Sequence, residues 1–494
     1  MSRIKNEQIR IVQHNGKSIT LKISGDEFYS RCENEDGYTM FYDSGLGCYC
    51  YAQVAEGKFV STGIPATSPA PAQLRKHLRE SGSVITAKFR NRFRLLKPAA
   101  PRVLSGSAGL PMLTAAPDSG LLDGPKLHHG KIRGITVLVE FPDVPFTLTK
   151  NEISALLNDD HYTQHGNFCS VRGYFLLMSG GQLDYSNEVF GPIKLRHKRD
   201  HYHFTRRNNL LRETMRALVR KKVKLKSFDT NGDRKIDAVN IVYAGSTQYI
   251  DRSWLWPHSF SNEMRFGDVS TSMYQICSLE SMSIGTFCHE NGHMLCRFPD
   301  LYDYGNRDTD FVRSAGLGNY CLMSAGNHLD GGRTPSPVCA YLRHLAGWCT
   351  RVVSLNTHGS FEAVQGDYAT VHQYKLDDLP NEYFLVENRF KTGLDAALPA
   401  SGLAVYHCDI NGSNEWQQGT PTKHFQCGLI QADGNGHLEN GTNNGDRSDL
   451  FSSQTVTTLA YGTSPSSRRW DRSDSGLNIA DIGAPGDRIA FRTH

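Results

Sequence analysis

The chain has 494 residues, a formal net charge of +4 and 21% charged residues. That length corresponds to roughly three ordinary domains. The small net charge gives no general attraction to nucleic acid or to a membrane surface, and no apolar run reaches the ~18 residues of a membrane span. The first twenty residues interrupt every short apolar stretch with polar ones, so a soluble chain without a visible export signal is expected. Twelve cysteines form no disulfide-like spacing and read as scattered thiols of a reduced compartment.

In chain order, residues 8–63 read as a small β-rich unit: IRIVQ, SITLKI, YTMFYD and CYCYAQV are separated by Gly, Asn and Asp turns. Residues 70–97 read as one or two basic helices. Residues 98–130 are rich in Pro, Gly, Ala and Ser and read as a linker. IRGITVLVEF (132–141) is a buried-strand candidate. ISALLN (153–158), SVRGYFLLMSGG (170–181) and NNLLRETMRALVRKKV (208–223) read as helices. In the last of these, Leu211, Met215, Leu218 and Val219 fall near helical spacing. IDAVNIVYA (236–244) is a second buried strand, so helices layered on a sheet are expected. Beyond Trp348 the pieces are short and β-rich, as in a sandwich or jelly roll.

The chemistry concentrates at His289-Glu290-Asn291-Gly292-His293. On a helix, residues i and i+4 share a face, so two imidazoles at this spacing suit one Zn²⁺. Glu290 then stands beside metal-activated water as general base. Ile284, Phe287, Cys288 and Leu295 can pack while the histidines face elsewhere. Gly292, which weakens a helix by ~1 kcal/mol relative to Ala, suits a close approach to another element. Asp300, just past Pro299, is the third ligand expected: no Glu occurs from Met294 to Phe361. Asp303 and His328 are the reserves. Met323 suits the Met turn beneath a three-ligand zinc in metzincins.

HENGHMLCRFPDLYDYG, with LMSAGNH downstream, resembles the immune inhibitor A family of metallopeptidases. So do GDEFYSRCENEDGYTMFYD, FDTNGDRKIDAVNIVYAG, LWPHSF, CAYLRHLAGW, EYFLVENRF, GLAVYHCDI and LIQADGNGHLENGTNNGDRSDLF. The resemblance spans nearly the whole chain. It implies an α+β protein with a metzincin-like zinc protease domain (131–350), an N-terminal precursor-like region (1–97), the linker (98–130) and a C-terminal β-sandwich-like domain (351–494). It further implies secretion and proteolysis of protein or peptide substrates. The family pattern places Gly three residues and the acidic ligand six residues after the second histidine. Here Cys296 takes the first position and Asp300 comes seven after His293.

Asp229, Asn231, Asp233 and Asp237, with the Lys235 carbonyl, alternate oxygen ligands on a tight loop and suit Ca²⁺ as well as a plain polar loop. Asp433, Asp446 and Asp449 form a weaker cluster of the same kind. Tyr302, Tyr304 and Tyr320 are near the expected ligands without an assigned role, and His258 reads as structural. The expected function is a zinc endopeptidase. The alternatives are a noncatalytic surface or adhesion module on a zinc-protease scaffold, and a latent zymogen whose residues 1–127 cover the cleft. Neither substrate preference nor oligomeric state follows from the sequence.

Overall fold

The computed structural model describes residues 4–13, 17–26, 28–96, 120–202, 207–247, 255–305, 313–416 and 419–494. These residues form a mixed α+β architecture with several sheets and six α-helices: α1 (Gly82–Leu96), α2 (Lys150–Asn158), α3 (Val171–Met178), α4 (Arg207–Arg220), α5 (Gly285–Asn291) and α6 (Ala340–Leu345).

The chain begins as a six-stranded antiparallel meander over Ile4–Pro65, its strands in sequence order. Strand Ser18–Gly25 alternates buried and exposed positions, the pattern of a sheet with one dry face. Ile19, Leu21, Ile23, Met40, Tyr49 and Tyr51 form that face, and Trp256 from the middle of the chain closes it. Only α1 forms in the 70–97 region, where one or two helices were expected. Pro69 and Pro71 withdraw amides and restrict the residues before them, and His77 takes φ 54°. Residues 98–119 of the expected linker lie outside the described residues. Residues 120–129 are docked, with Leu122 N–H and Leu127 N–H donating to the carbonyls of Arg297 and Leu295 (2.7 Å each).

The central sheet has strand order 258–261, 273–277, 239–243, 130–140, 183–194, and all its neighbours run parallel except the edge strand 258–261. Its two faces are covered by different helices. Ile135, Val137 and Val139 pack with Leu211, Met215 and Leu218 of α4. Leu138 and Ile132, of opposite parity, pack with α2, α3 and α5. Double coverage explains why this strand reads as a continuous apolar run. Val219, expected on the packed stripe of α4, is 47% exposed. Strand Leu183–Lys194 was missed because its sequence, LDYSNEVFGPIK, mixes polar and apolar residues on both faces.

The C-terminal region stacks a five-stranded sheet (351–354, 370–375, 382–389, 402–409, 427–429) on a three-stranded one (359–364, 479–480, 488–493). Phe384, Val386 and Val405 share a core with Ala363, Ile489 and Phe491 across the two sheets. The other face of the larger sheet, through Leu385, Tyr406 and Cys408, joins the core beneath α5. Strand Glu382–Arg389 is therefore buried at every position. All twelve cysteines are free thiols. No helix among the described residues is long and apolar enough to cross a membrane.

Candidate metal centre

Helix α5 carries His289 and Glu290 and passes directly into a π turn, Gly292–Cys296, which carries His293. Arg297 ends the turn in the left-handed region at φ 59°, its N–H bonded to the Gly292 carbonyl. A π turn holds one residue more than an α turn. That extra residue matches the one by which Asp300 lies farther from His293 than the resembled pattern has it. Gly292 lets the turn close on its floor: a Cβ there would stand 2.8 Å from Met323 Sδ.

A buried polar network fixes the helix on the sheet. Asn291 Nδ2 donates to Asn240 Oδ1 (3.1 Å), and Tyr185 O–H donates to Asn291 Oδ1 (2.7 Å). Asn240 in turn binds Asn187 Oδ1 (3.0 Å) and Tyr185 (2.9 Å), and Gln275 donates to Asn240 Oδ1 (3.1 Å). Four strands thus contribute, since Thr136 also donates to Asn187 Oδ1 (2.9 Å). Such a network in a dry interior forms only in one register, so it specifies where α5 sits.

The donor atoms of the centre are fully defined. His289 Nδ1–H donates to the Leu322 carbonyl (2.8 Å), and His293 Nδ1–H to the Phe298 carbonyl (2.6 Å). Each ring therefore offers Nε2 as a lone pair. His289 Nε2, His293 Nε2 and Asp300 Oδ1 lie 3.2, 3.2 and 3.3 Å from one another. Three corners of a tetrahedron around an ion with bonds of about 2.0–2.1 Å are about 3.3–3.4 Å apart. Asp300 Oδ1 is buried and receives no hydrogen bond. Three electron-rich atoms gathered at this spacing repel one another unless a cation lies between them, so the residues present fit a zinc ion. Burial also holds both imidazoles below their usual pKa, in the neutral form a metal requires.

Asp300 is held from two sides. Tyr304 O–H donates to Asp300 Oδ2 (2.7 Å) and also lies 3.1 Å from Glu415 Oε1, which accepts the Asp300 backbone N–H (3.0 Å). Trp416 Nε1–H donates to Glu415 Oε2 (3.0 Å). Burial, reinforced by the charge of Asp300, pushes the Glu415 carboxyl up to about 7. Glu415 was not found from sequence. It lies 115 residues beyond Asp300 in a segment with no local signal.

The remaining sequence candidates do not join the three-donor group. Glu290 is fully buried on α5, and its charge is felt at the Cys277 thiol, whose pKa is raised mainly by burial. Asp303 accepts the N–H of Gly305 (2.7 Å) and Ser314 (3.2 Å) and stands outside the three-donor group. His328 is likewise outside it, 3.8 Å from Glu7. His258 is structural: its Nδ1 bonds the Trp256 carbonyl (2.6 Å), and burial lowers its pKa to about 3.

The carboxylates of Asp229, Asp233 and Asp237 do not gather within 4.8 Å as the zinc candidates do. Their oxygens accept the loop's own amides: Asp229 Oδ2 from Arg234, Asp233 Oδ1 from Lys235 and Asp237 Oδ2 from Thr230, while Asn231 Oδ1 accepts Asp233 N–H.

Compared with known proteins, the chain matches no family model and no curated protein.

Proposed function

We propose that this chain is a zinc-dependent endopeptidase of the immune inhibitor A-like, metzincin-like kind, with His289, His293 and Asp300 holding the ion and Glu290 as general base. The observation that carries the reading is the triangle of His289 Nε2, His293 Nε2 and Asp300 Oδ1, with edges of 3.2–3.3 Å. A zinc ion there supplies Lewis acidity toward a peptide carbonyl and toward water.

The chain's own residues do the rest. The Leu322 and Phe298 carbonyls lock the tautomer and orientation of the two imidazoles. Tyr304 and Glu415 orient Asp300. Glu290 follows His289 directly on the helix, where it takes a proton from water and returns it to the leaving amine. Substrates are proteins or peptides, and export of the chain belongs to the same proposal.

Latency is a second part of the reading, and burial favours it. His289, Glu290 and Asp300 are fully buried and His293 is 4% exposed, although a peptidase must admit a chain to this point. The N-terminal unit packs on the residues that hold Asp300. Phe28 lies 5.1 Å from the Tyr304 ring, Phe89 lies 5.9 Å from Trp416, and Asp26 pairs with Arg313 (2.9 Å). Glu7 and Ile4 line a cavity of about 510 Å³ together with Thr286, at the start of α5, and His328.

The test is zinc content and peptide cleavage by the full chain, before and after limited proteolysis within 98–119, in parallel with Glu290→Ala. Stoichiometric zinc, with chelator-sensitive cleavage that rises on nicking and vanishes in Glu290→Ala, is expected. Zinc without cleavage in either state would leave the noncatalytic binding module. No zinc would end the proposal.

A further inference from the structure

A second group of donors lies away from the His289 centre, in the loop that follows strand 427–429. Asp433, His437 and Asp446 bring one ligand atom each within 4.8 Å of one another, and all three are half-buried. His437 Nδ1 faces Asp446 Oδ2 at 3.1 Å. Asp446 Oδ2 also accepts from Asn443 (2.9 Å), while Asp433 takes both the N–H (3.0 Å) and the side-chain amide (2.8 Å) of Asn435.

Beneath them Asp449 is fully buried. Its Oδ2 accepts the Asp446 N–H (2.6 Å) and the Tyr320 O–H (3.0 Å), but its Oδ1 has no hydrogen-bond partner. Among the described residues the one basic side chain paired with these three carboxylates is His437, at Asp446. A carboxylate oxygen left bare in the interior is costly unless a cation meets it.

We infer that Asp433, His437 and Asp446, backed by Asp449, form a second divalent-cation site, independent of the His289 centre. An imidazole among carboxylates suits a first-row ion between Mn²⁺ and Zn²⁺ better than Ca²⁺, which takes oxygen ligands.

The site has work to do where it stands. The same loop clamps residues 313–320: Ala315 N–H donates to the Leu438 carbonyl and Asn319 N–H to the Asn444 carbonyl, both at 2.7 Å. Gly318, at φ 50°, is pressed so close that a Cβ would stand 2.3 Å from that Asn444 oxygen. The clamped segment leads straight to Leu322, whose carbonyl orients His289. An ion in the loop therefore braces the floor of the first centre from the C-terminal side.

The test uses the full chain carrying His293→Ala, which removes the first centre, stripped with chelator and dialysed against Mn²⁺, Zn²⁺ or Ca²⁺ alone. Metal content and thermal unfolding are then read. One Mn²⁺ or Zn²⁺ per chain with a raised Tm is expected, with affinity lowered about tenfold or more by either His437→Ala or Asp446→Asn. Asp433→Asn, at a half-exposed position, serves if Asp446→Asn fails to fold. No retained ion of any kind overturns the site. An ion retained unchanged in all three variants overturns it as well, and calcium retained through His437→Ala overturns the assignment of the imidazole.

Discussion

The His289 centre and the Asp229–Asp237 loop both read in sequence as metal sites, yet the folded chain treats their donors in opposite ways. In the loop, each of the four side chains has an oxygen turned onto a backbone amide of its own turn. In the centre, the backbone accepts from the far side of each imidazole and leaves Nε2 facing a carboxylate oxygen at 3.2–3.3 Å. Oxygens that cap amides shape the turn, whereas lone pairs gathered within 3.3 Å of one another need an ion. Residue type and spacing do not show how closely the donor atoms gather; the folded geometry does.

The contrast is broken most severely at the centre itself. His293→Ala or Asp300→Ala is expected to remove the zinc of this centre, a loss of one ion per chain, and to abolish cleavage, read by elemental analysis and a peptide assay. Glu290→Gln keeps the zinc and lowers turnover about 10²–10⁴-fold, the range of a lost general base. Equal zinc loss in Glu290→Gln would assign it to metal holding instead.

Next comes Glu415. Glu415→Ala frees the Asp300 amide and one Tyr304 contact and should weaken zinc affinity about 10–100-fold. Glu415→Gln, which retains an acceptor, should recover most of it. Equal loss in both variants would point to misfolding.

The acid limb of stability is a smaller effect. His258 is neutral in the fold, because burial lowers its pKa to about 3 from the ordinary value of 6.5. The unfolded chain therefore binds more protons between those values, and stability falls as pH drops from 6.5 toward 3, by at most about 1.4 kcal/mol per pH unit. His258→Gln should flatten the Tm–pH curve over that window. An unchanged slope would remove His258 as the cause.

The smallest change is expected in the loop. Asp233→Asn should alter stability by less than about 0.5 kcal/mol and leave zinc content untouched, and added calcium should not shift the Tm of the unmodified chain. A calcium-dependent rise lost in Asp233→Asn would erase the contrast drawn above.

Much of the site was legible because it is local. His289, Glu290 and His293 need only helical periodicity, and Asp300 needs only the chain reversal after Pro299. Gly292 was legible as a close approach, here to Met323. What stayed hidden is long-range. Asn240 and Thr136 sit inside apolar runs and look like interruptions until Asn187 and Asn291 arrive from other elements. The central and C-terminal strands with both faces covered lose the alternation that marks a strand, and strand Leu183–Lys194 carries polar residues into the interior. The π turn cannot be read from composition at all, because its extra residue shows only in the hydrogen-bond ladder.

The route by which Asp300 is held also sets how the gene can be cut and exchanged. Glu415 and the loop ending at Asp449 belong, by position, to the region after residue 350, but they grip residues 300, 304 and 313–320. A stop codon at 350 would leave both histidines and Asp300 encoded yet strip away Glu415 from Asp300 and the loop ending at Asp449 from Tyr320. A crossover there between two divergent copies would join a centre to supports shaped for another. The hereditary unit of this site is the segment from the central sheet through Asp449, and recombination that respects only the visible change of secondary structure would divide it.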